Sequence, residues 1–190
     1  SVRTAGDINK DGYDDIIVGA YSKSFSRGAA YVIYGGSSMS NIDLSMTTLD
    51  PVATGFMLAG NAAGDFFGYS VSTTGDINGD GYYDIIVGAW EKNGGKGNAQ
   101  GVVYVIYGGL KSSMSNIDLS TTTLDPATTG FMITGSATFD YFGCSVSTAG
   151  DINKDGYDDI IIGALNRYKA YVIYGRAKST TSNIDLSMTT

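Results

Sequence analysis

Residues 70–87 read SVSTTGDINGDGYYDIIV, and the stretch recurs as SVSTAGDINKDGYDDIII at 145–162 and as SVRTAGDINKDGYDDIIV at 1–18. Near-identity at three places makes the chain a repeat array, whose units bury their apolar faces by stacking on one another. The starts at Ser1, Ser70 and Ser145 set periods of 69 and 75 residues and divide the chain into units 1–69, 70–144 and 145–190. The longer second unit carries its extra residues in two loops, one at Trp90–Gln100 and one around Leu110–Ser113.

Working outward from the quoted stretch, each unit reads as short β segments. In the second unit these are SVSTTG (70–75), DIIVGA (84–89), GVVYVIYGG (101–109) and GFMITG (130–135), with GFMLAG (55–60) the earlier counterpart of the last. β-Branched and aromatic residues alternate inside them, Gly and Asn/Asp clusters separate them, and no window shows a helical apolar period. Four strands per unit is the pattern of a propeller blade. The expected fold is therefore all-β: β-propeller blades of four antiparallel strands in three tandem units. The third unit closes on SNIDLSMTT (182–190), before a counterpart of 55–60, so its blade is expected to lack its fourth strand. YKAYVIYG (168–175) is then an exposed edge, open to pairing with another chain.

The acids converge on one loop per unit. Of 19 Asp+Glu against 12 Lys+Arg, Glu91 is the one glutamate, and aspartate without glutamate is a turn signature. The first loop places oxygen ligands at Asp7, Asn9, Asp11 and Asp15; the second at Asp76, Asn78, Asp80 and Asp84; the third at Asp151, Asn153, Asp155 and Asp159. These are loop positions 1, 3, 5 and 9, with Gly12, Gly81 and Gly156 at position 6 and the backbone carbonyls of Tyr13, Tyr82 and Tyr157 at position 7. Oxygen ligands alternating on a flexible loop suit calcium, at three sites, better than magnesium or a transition metal. An EF-hand needs Glu at position 12, where this chain has Val18, Val87 and Ile162 inside apolar strands. Position 8 is Asp14, Tyr83 and Asp158, so its acid is dispensable to the motif. The competing reading is an Asp-rich turn held by its own hydrogen bonds, with no metal.

Composition excludes other chemistries. With His 0 there is no Ser-His-Asp or Cys-His machinery, and with Cys 1 no internal disulfide framework or Cys-rich zinc site. A pI near 4.3 without a basic cluster argues against nucleic-acid binding. No segment has the length of apolar residues that spans a bilayer, and no signal-peptide pattern opens the chain. Cys144 is expected to be a buried, unreactive thiol.

These residues resemble the FG-GAP repeat of integrin α-subunit propellers and their relatives. Phe67-Gly68 and Phe142-Gly143 are the FG pairs; Gly19-Ala20, Gly88-Ala89 and Gly163-Ala164 are the GA pairs. The chain departs from the pattern where a proline follows GA, having Tyr21, Trp90 and Leu165 there, and its NIDLS and Asp-Pro steps look like local elaborations. The resemblance implies calcium on the loops joining first and second strands, and a protein or glycan ligand on the loops of the opposite face. The exposed candidates on that face are Tyr21, Phe25, Arg27, Trp90, Lys92, Lys96, Arg167 and Tyr168. The leading expectation is a non-catalytic, extracellular or cell-surface, calcium-binding module serving adhesion or structure. Further repeats or other copies of the chain are its partners. Two alternatives are a fibre completed by strand pairing between copies and an accessory module of a carbohydrate-active enzyme.

Overall fold

A computed structural model describes residues 1–39, 41–45, 48–92 and 99–188, with Arg167 described in its backbone only. The strands in chain order are β1 (Val2–Gly6), β2 (Asp15–Ala20), β3 (Ala29–Ile33), β4 (Gly55–Ala59), β5 (Ser70–Gly75), β6 (Asp84–Ala89), β7 (Val102–Ile106), β8 (Ile117–Asp118), β9 (Gly130–Thr134), β10 (Phe142–Gly150), β11 (Asp159–Ala164), β12 (Lys169–Ile173) and β13 (Ile184–Asp185). They form three sheets, ordered β1-β2-β3-β4-β8, β13-β9-β7-β6-β5 and β10-β11-β12. Within each sheet the four main strands, or three in the last, meander antiparallel as propeller blades do. Among the described residues the third blade has three strands, as the sequence implied.

The blades stack face to face. Ala5, Ile8, Ile17, Val32, Tyr34 and Phe56 of the first pack with Val71, Ile85, Val87 and Tyr104 of the second in one continuous cluster. A second cluster joins Ile77, Ile86, Val105 and Tyr107 to Ile160, Ile162, Ala164 and Ile173. β7, covered on both faces, is buried at all five positions, so its sequence VVYVI is apolar throughout instead of alternating. Tyr34 and Tyr107 lie buried against the next blade, whereas their counterpart Tyr174 on the third is 53% exposed.

The FG and GA pairs meet between blades. A side chain at Gly19 would lie 2.1 Å from the carbonyl oxygen of Gly68, and one at Gly88 would lie 2.1 Å from that of Gly143. Backbone passes where a Cβ would sit, so the GA glycine of one blade admits the FG turn leading to the next. Phe67 and Phe142, both fully buried, then stack edge-on against Tyr104 and Tyr171 at 5.4 and 5.5 Å.

The NIDLS segments are more than loop elaborations. β8 pairs in parallel with β4, and β13 with β9, so each downstream unit adds a short strand to the rim of the blade before it. Asn116 Oδ1 accepts from Met57 N at 2.7 Å, Asn183 Oδ1 from Met132 N at 2.9 Å, and Leu119 N donates to the Ala59 carbonyl at 3.0 Å. In the first unit the equivalent Ile42 and Leu44 pack over Tyr31 and Ile33 of their own blade.

Candidate metal centre

Each aspartate loop begins at a β-bulge. The register slips between Thr4 and Gly6, between Thr73 and Gly75, and between Thr148 and Gly150. All three glycines are left-handed, with φ of 68°, 73° and 67°, a conformation that L side chains resist. The bulge turns the chain out of the sheet and into the loop.

Within the loop, carboxylates collect backbone amides. Asp7 accepts from Asp11 N and Gly12 N at 3.0 and 2.9 Å, and Asp151 accepts from Asp155 N and Gly156 N at 3.1 and 2.9 Å. Asp76 accepts from Gly79 N, Asp80 N and Gly81 N. At position 5, Asp11, Asp80 and Asp155 accept from Tyr13 N, Tyr82 N and Tyr157 N. The position-6 glycine follows with φ near 90° in each copy, the sharp reversal the motif requires.

Position 9 lies deeper than the sequence suggested. Asp15, Asp84 and Asp159 are fully buried. Asp84 accepts from Ile77 N at 3.2 Å and Asn78 Nδ2 at 2.8 Å on one oxygen, and from Gly108 N at 2.8 Å on the other. Asp15 binds Ile8 N, Asn9 Nδ2 and Gly35 N in the same way. Asp159 takes Ile152 N and Gly175 N. This residue ties the loop to the chain leaving the third strand. Burial raises the Asp15 carboxyl to about 6 and lifts Asp84 well above the ordinary range.

Among the described residues, no three acidic side chains form a ready metal cluster. The carboxylates of positions 1, 5 and 9 are each held apart on N–H donors. Each oxygen nonetheless has two lone pairs, so one amide bond leaves acceptor capacity. In the first loop one polar atom is left over: Asn9, only 4% exposed, has Oδ1 buried with no hydrogen-bond partner, whereas Asn78 Oδ1 and Asn153 Oδ1 accept from Asp80 N and Asp155 N at 3.0 and 2.9 Å. An orphaned buried acceptor is costly, and it belongs to a residue that the spacing assigns to an oxygen-ligated cation. Asp7, Asn9, Asp11 and the Tyr13 carbonyl thus fit a hard cation, with Asp15 as both candidate ligand and clamp.

Position 8, variable between copies, makes contacts between blades. Asp158 Oδ2 accepts from Asp76 N at 2.8 Å, and Tyr83 fills the space where a side chain at Gly6 would stand. Sequence comparison marked this residue as a bystander because its partner lies in a different unit.

The opposite face corrects several expectations. Phe25 and Tyr168 are 93% and 99% exposed, and Tyr21 is partly so. Arg27 is instead tied to Asp118, Ser120 and the Gly60 carbonyl, holding β8 in place. Lys92 is paired with Asp65 at 3.3 Å. Trp90 is half-buried in a ring cluster with Phe66, Tyr69 and Tyr141. Lys96 and the Arg167 side chain lie outside the described residues. Cys144 is half-buried, its Sγ 3.6 Å from the Gly163 carbonyl. No described helix is long and apolar enough to cross a membrane.

Comparison with known proteins agrees with this geometry. The FG-GAP repeat family matches residues 3–33, 67–106 and 142–175, each span holding one loop or the blade around it. Integrin alpha-V of Gallus gallus is 30% identical over 182 residues, covering 90% of this chain and 15% of that protein. Integrin alpha-6 of Gallus gallus is 32% identical over 166 residues, covering 84% and 13%. Phosphatidylinositol-glycan-specific phospholipase D of Mus musculus is 35% identical over 127 residues, covering 63% and 14%. The chain thus spans about one seventh of the length of these relatives. With bulge, aspartate loop and FG–GA contact recurring in register, the chain is a member of the FG-GAP repeat family, related to integrin α chains.

Proposed function

We propose that this chain is a calcium-stiffened, non-catalytic module of an extracellular or cell-surface protein, serving adhesion or structural assembly. The observation that carries the calcium reading is the buried, donor-less Oδ1 of Asn9 in the first of three loops that share one ligand spacing. Three calcium ions would add 3 × 2 = +6 to the formal charge of −7, leaving −1. Each would relieve the repulsion between neighbouring carboxylates. The ligands are Asp7, Asn9, Asp11, Tyr13 and Asp15 with their counterparts in the other two loops. Integrin relatives support adhesion as the wider role.

A protein or glycan partner fits the face opposite the aspartate loops. Phe25, Phe66, Phe139, Tyr141 and Tyr168 all hold left-handed backbone there. Strain of that kind on aromatic residues concentrates at binding surfaces. Calcium saturation at a hundredfold over the dissociation constant adds about 2.7 kcal/mol per site. The melting temperature is therefore expected to rise sharply between chelator and millimolar calcium, and an unchanged melt overturns the calcium reading.

Two other readings keep a specific support. The phospholipase relative favours a propeller attached to an enzyme, and a glycan- and lipid-hydrolysis screen of the chain, with no turnover expected, tests it. Among the described residues no strand pairs with the outer edge of β12, which favours strand pairing between copies, and light scattering at high concentration with calcium present checks for it.

A further inference from the structure

The second and third units each carry two residues more than the first after the paired glycine position: Leu110-Lys111 and Ala177-Lys178, where Gly35-Gly36 runs directly into Ser37-Ser38. Both lysines do the same thing. Lys111 Nζ lies 2.6 Å from Asp11 Oδ2 and 4.9 Å from the ring centre of Tyr34. Lys178 Nζ lies 2.6 Å from Asp80 Oδ2 and 4.6 Å from that of Tyr107. Asp11 and Asp80 are position 5 of the first and second loops, so each lysine reaches back into the loop of the preceding blade. Its approach is built into the backbone. Gly109 N donates to the Ile8 carbonyl and Arg176 N to the Ile77 carbonyl, both at 3.0 Å, and a single 3₁₀ turn starts at each lysine. At the third loop Asp155 is met by Asn153 Nδ2 at 2.8 Å, and among the described residues no lysine reaches it.

We propose that Lys111 and Lys178 are resident counter-cations that compete with a divalent ion at the first and second loops, making these weaker than the third. This rests on the calcium reading above. An ammonium takes one oxygen of a carboxylate that the ion would use, and it sets a positive charge beside the metal. At a separation on the order of 5 Å in a water-like dielectric, a single and a double charge repel enough to weaken binding roughly tenfold. Filling the first two loops then loosens the lysine tie between adjacent blades, whereas filling the third does not.

Calcium titration of the whole chain by calorimetry, with terbium luminescence as a second readout, tests this on wild type, Lys111→Met/Lys178→Met and Lys111→Arg/Lys178→Arg. Methionine keeps the stem over the tyrosine ring and removes the charge; arginine keeps the charge. The expected result is one tight and two weaker sites in wild type, with the weaker pair tightening about tenfold in the methionine variant and unchanged in the arginine variant. In chelator the methionine variant should melt below wild type, and excess calcium should close the gap. Unchanged affinities in the methionine variant, with or without a lower melt in chelator, overturn the proposal and reduce the lysines to a structural tie. An equal shift at all three sites also overturns it. Absence of calcium binding in wild type overturns the calcium reading itself, and this proposal with it.

Discussion

Replacing Phe67 with alanine probes the joint between the first two blades. The side chain is fully buried, its ring 5.4 Å from Tyr104 at 76°, in the cluster that also holds Leu58, Val87 and Val102. Phe→Ala in such a site removes transfer free energy and leaves a cavity, together about 3–5 kcal/mol. The flanking backbone is held on both sides, with Gly68 N on the Gly88 carbonyl and Phe66 N on the Ser26 carbonyl, so collapse into the void is restricted. The upper half of that range, about 4 kcal/mol, is the expected loss. For a chain of 190 residues this corresponds to roughly 8–16 °C in melting temperature if unfolding is cooperative. Urea denaturation followed by fluorescence of Trp90, the one tryptophan, measures it directly, since Trp90 reports from the second blade. A loss below about 1 kcal/mol would refute the claim that the FG phenylalanine welds adjacent blades.

Glycines of the GA pairs should respond unequally. Gly19→Ala and Gly88→Ala, each facing a backbone carbonyl, should cost about 2–3 kcal/mol in chemical denaturation, and Gly163→Ala less, since its near neighbours are the Ser145 and Cys144 side chains. Arg27→Ala should release the rim strand β8, raising hydrogen exchange at the Leu119 amide by about tenfold with little change in global stability. Asp84→Ala should destabilise by about 3 kcal/mol even in chelator, because Ile77 N and Gly108 N lose their acceptor in the interior. Asp155→Ala, at an exposed loop position, should lose calcium affinity at the third loop with a small effect in chelator; equal melting losses for the two variants would contradict the division between clamp and ligand.

What the sequence displayed was everything local. The strands Ser70–Gly75 and Asp84–Ala89 fall where the repeat placed them, because β-branched runs between glycine-rich turns leave little choice. The aspartate loops were legible by spacing alone. What escaped was every contact made across units. Ile117-Asp118 has no apolar run to mark it as a strand; its partners Leu58 and Ala59 lie in the preceding blade. Asp158 and Tyr83 varied between copies and looked idle, yet each touches a different blade. Arg27 and Lys92 read as loop cations in the sequence because their partners Asp118 and Asp65 are distant along the chain. The depth of Asp15 was equally hidden, since a nine-residue motif does not show which of its acids faces inward.

The rim strands give the array a direction. Each downstream unit reaches backward: β8 from the second unit completes the first blade, and β13 from the third completes the second. A blade emerging from the ribosome therefore stays open at its outer strand until roughly a further 60 residues have been made, the distance from Leu58 to Ile117. During that interval the edge of β4 is available to a wrong partner, including the same strand of a neighbouring nascent chain. Trimming units from the C-terminal side unlaces a blade that is otherwise intact, while trimming from the N-terminal side removes a blade together with the edge its successor had covered. Shortened versions of such an array should thus be cut after an NIDLS segment, not at the end of a blade.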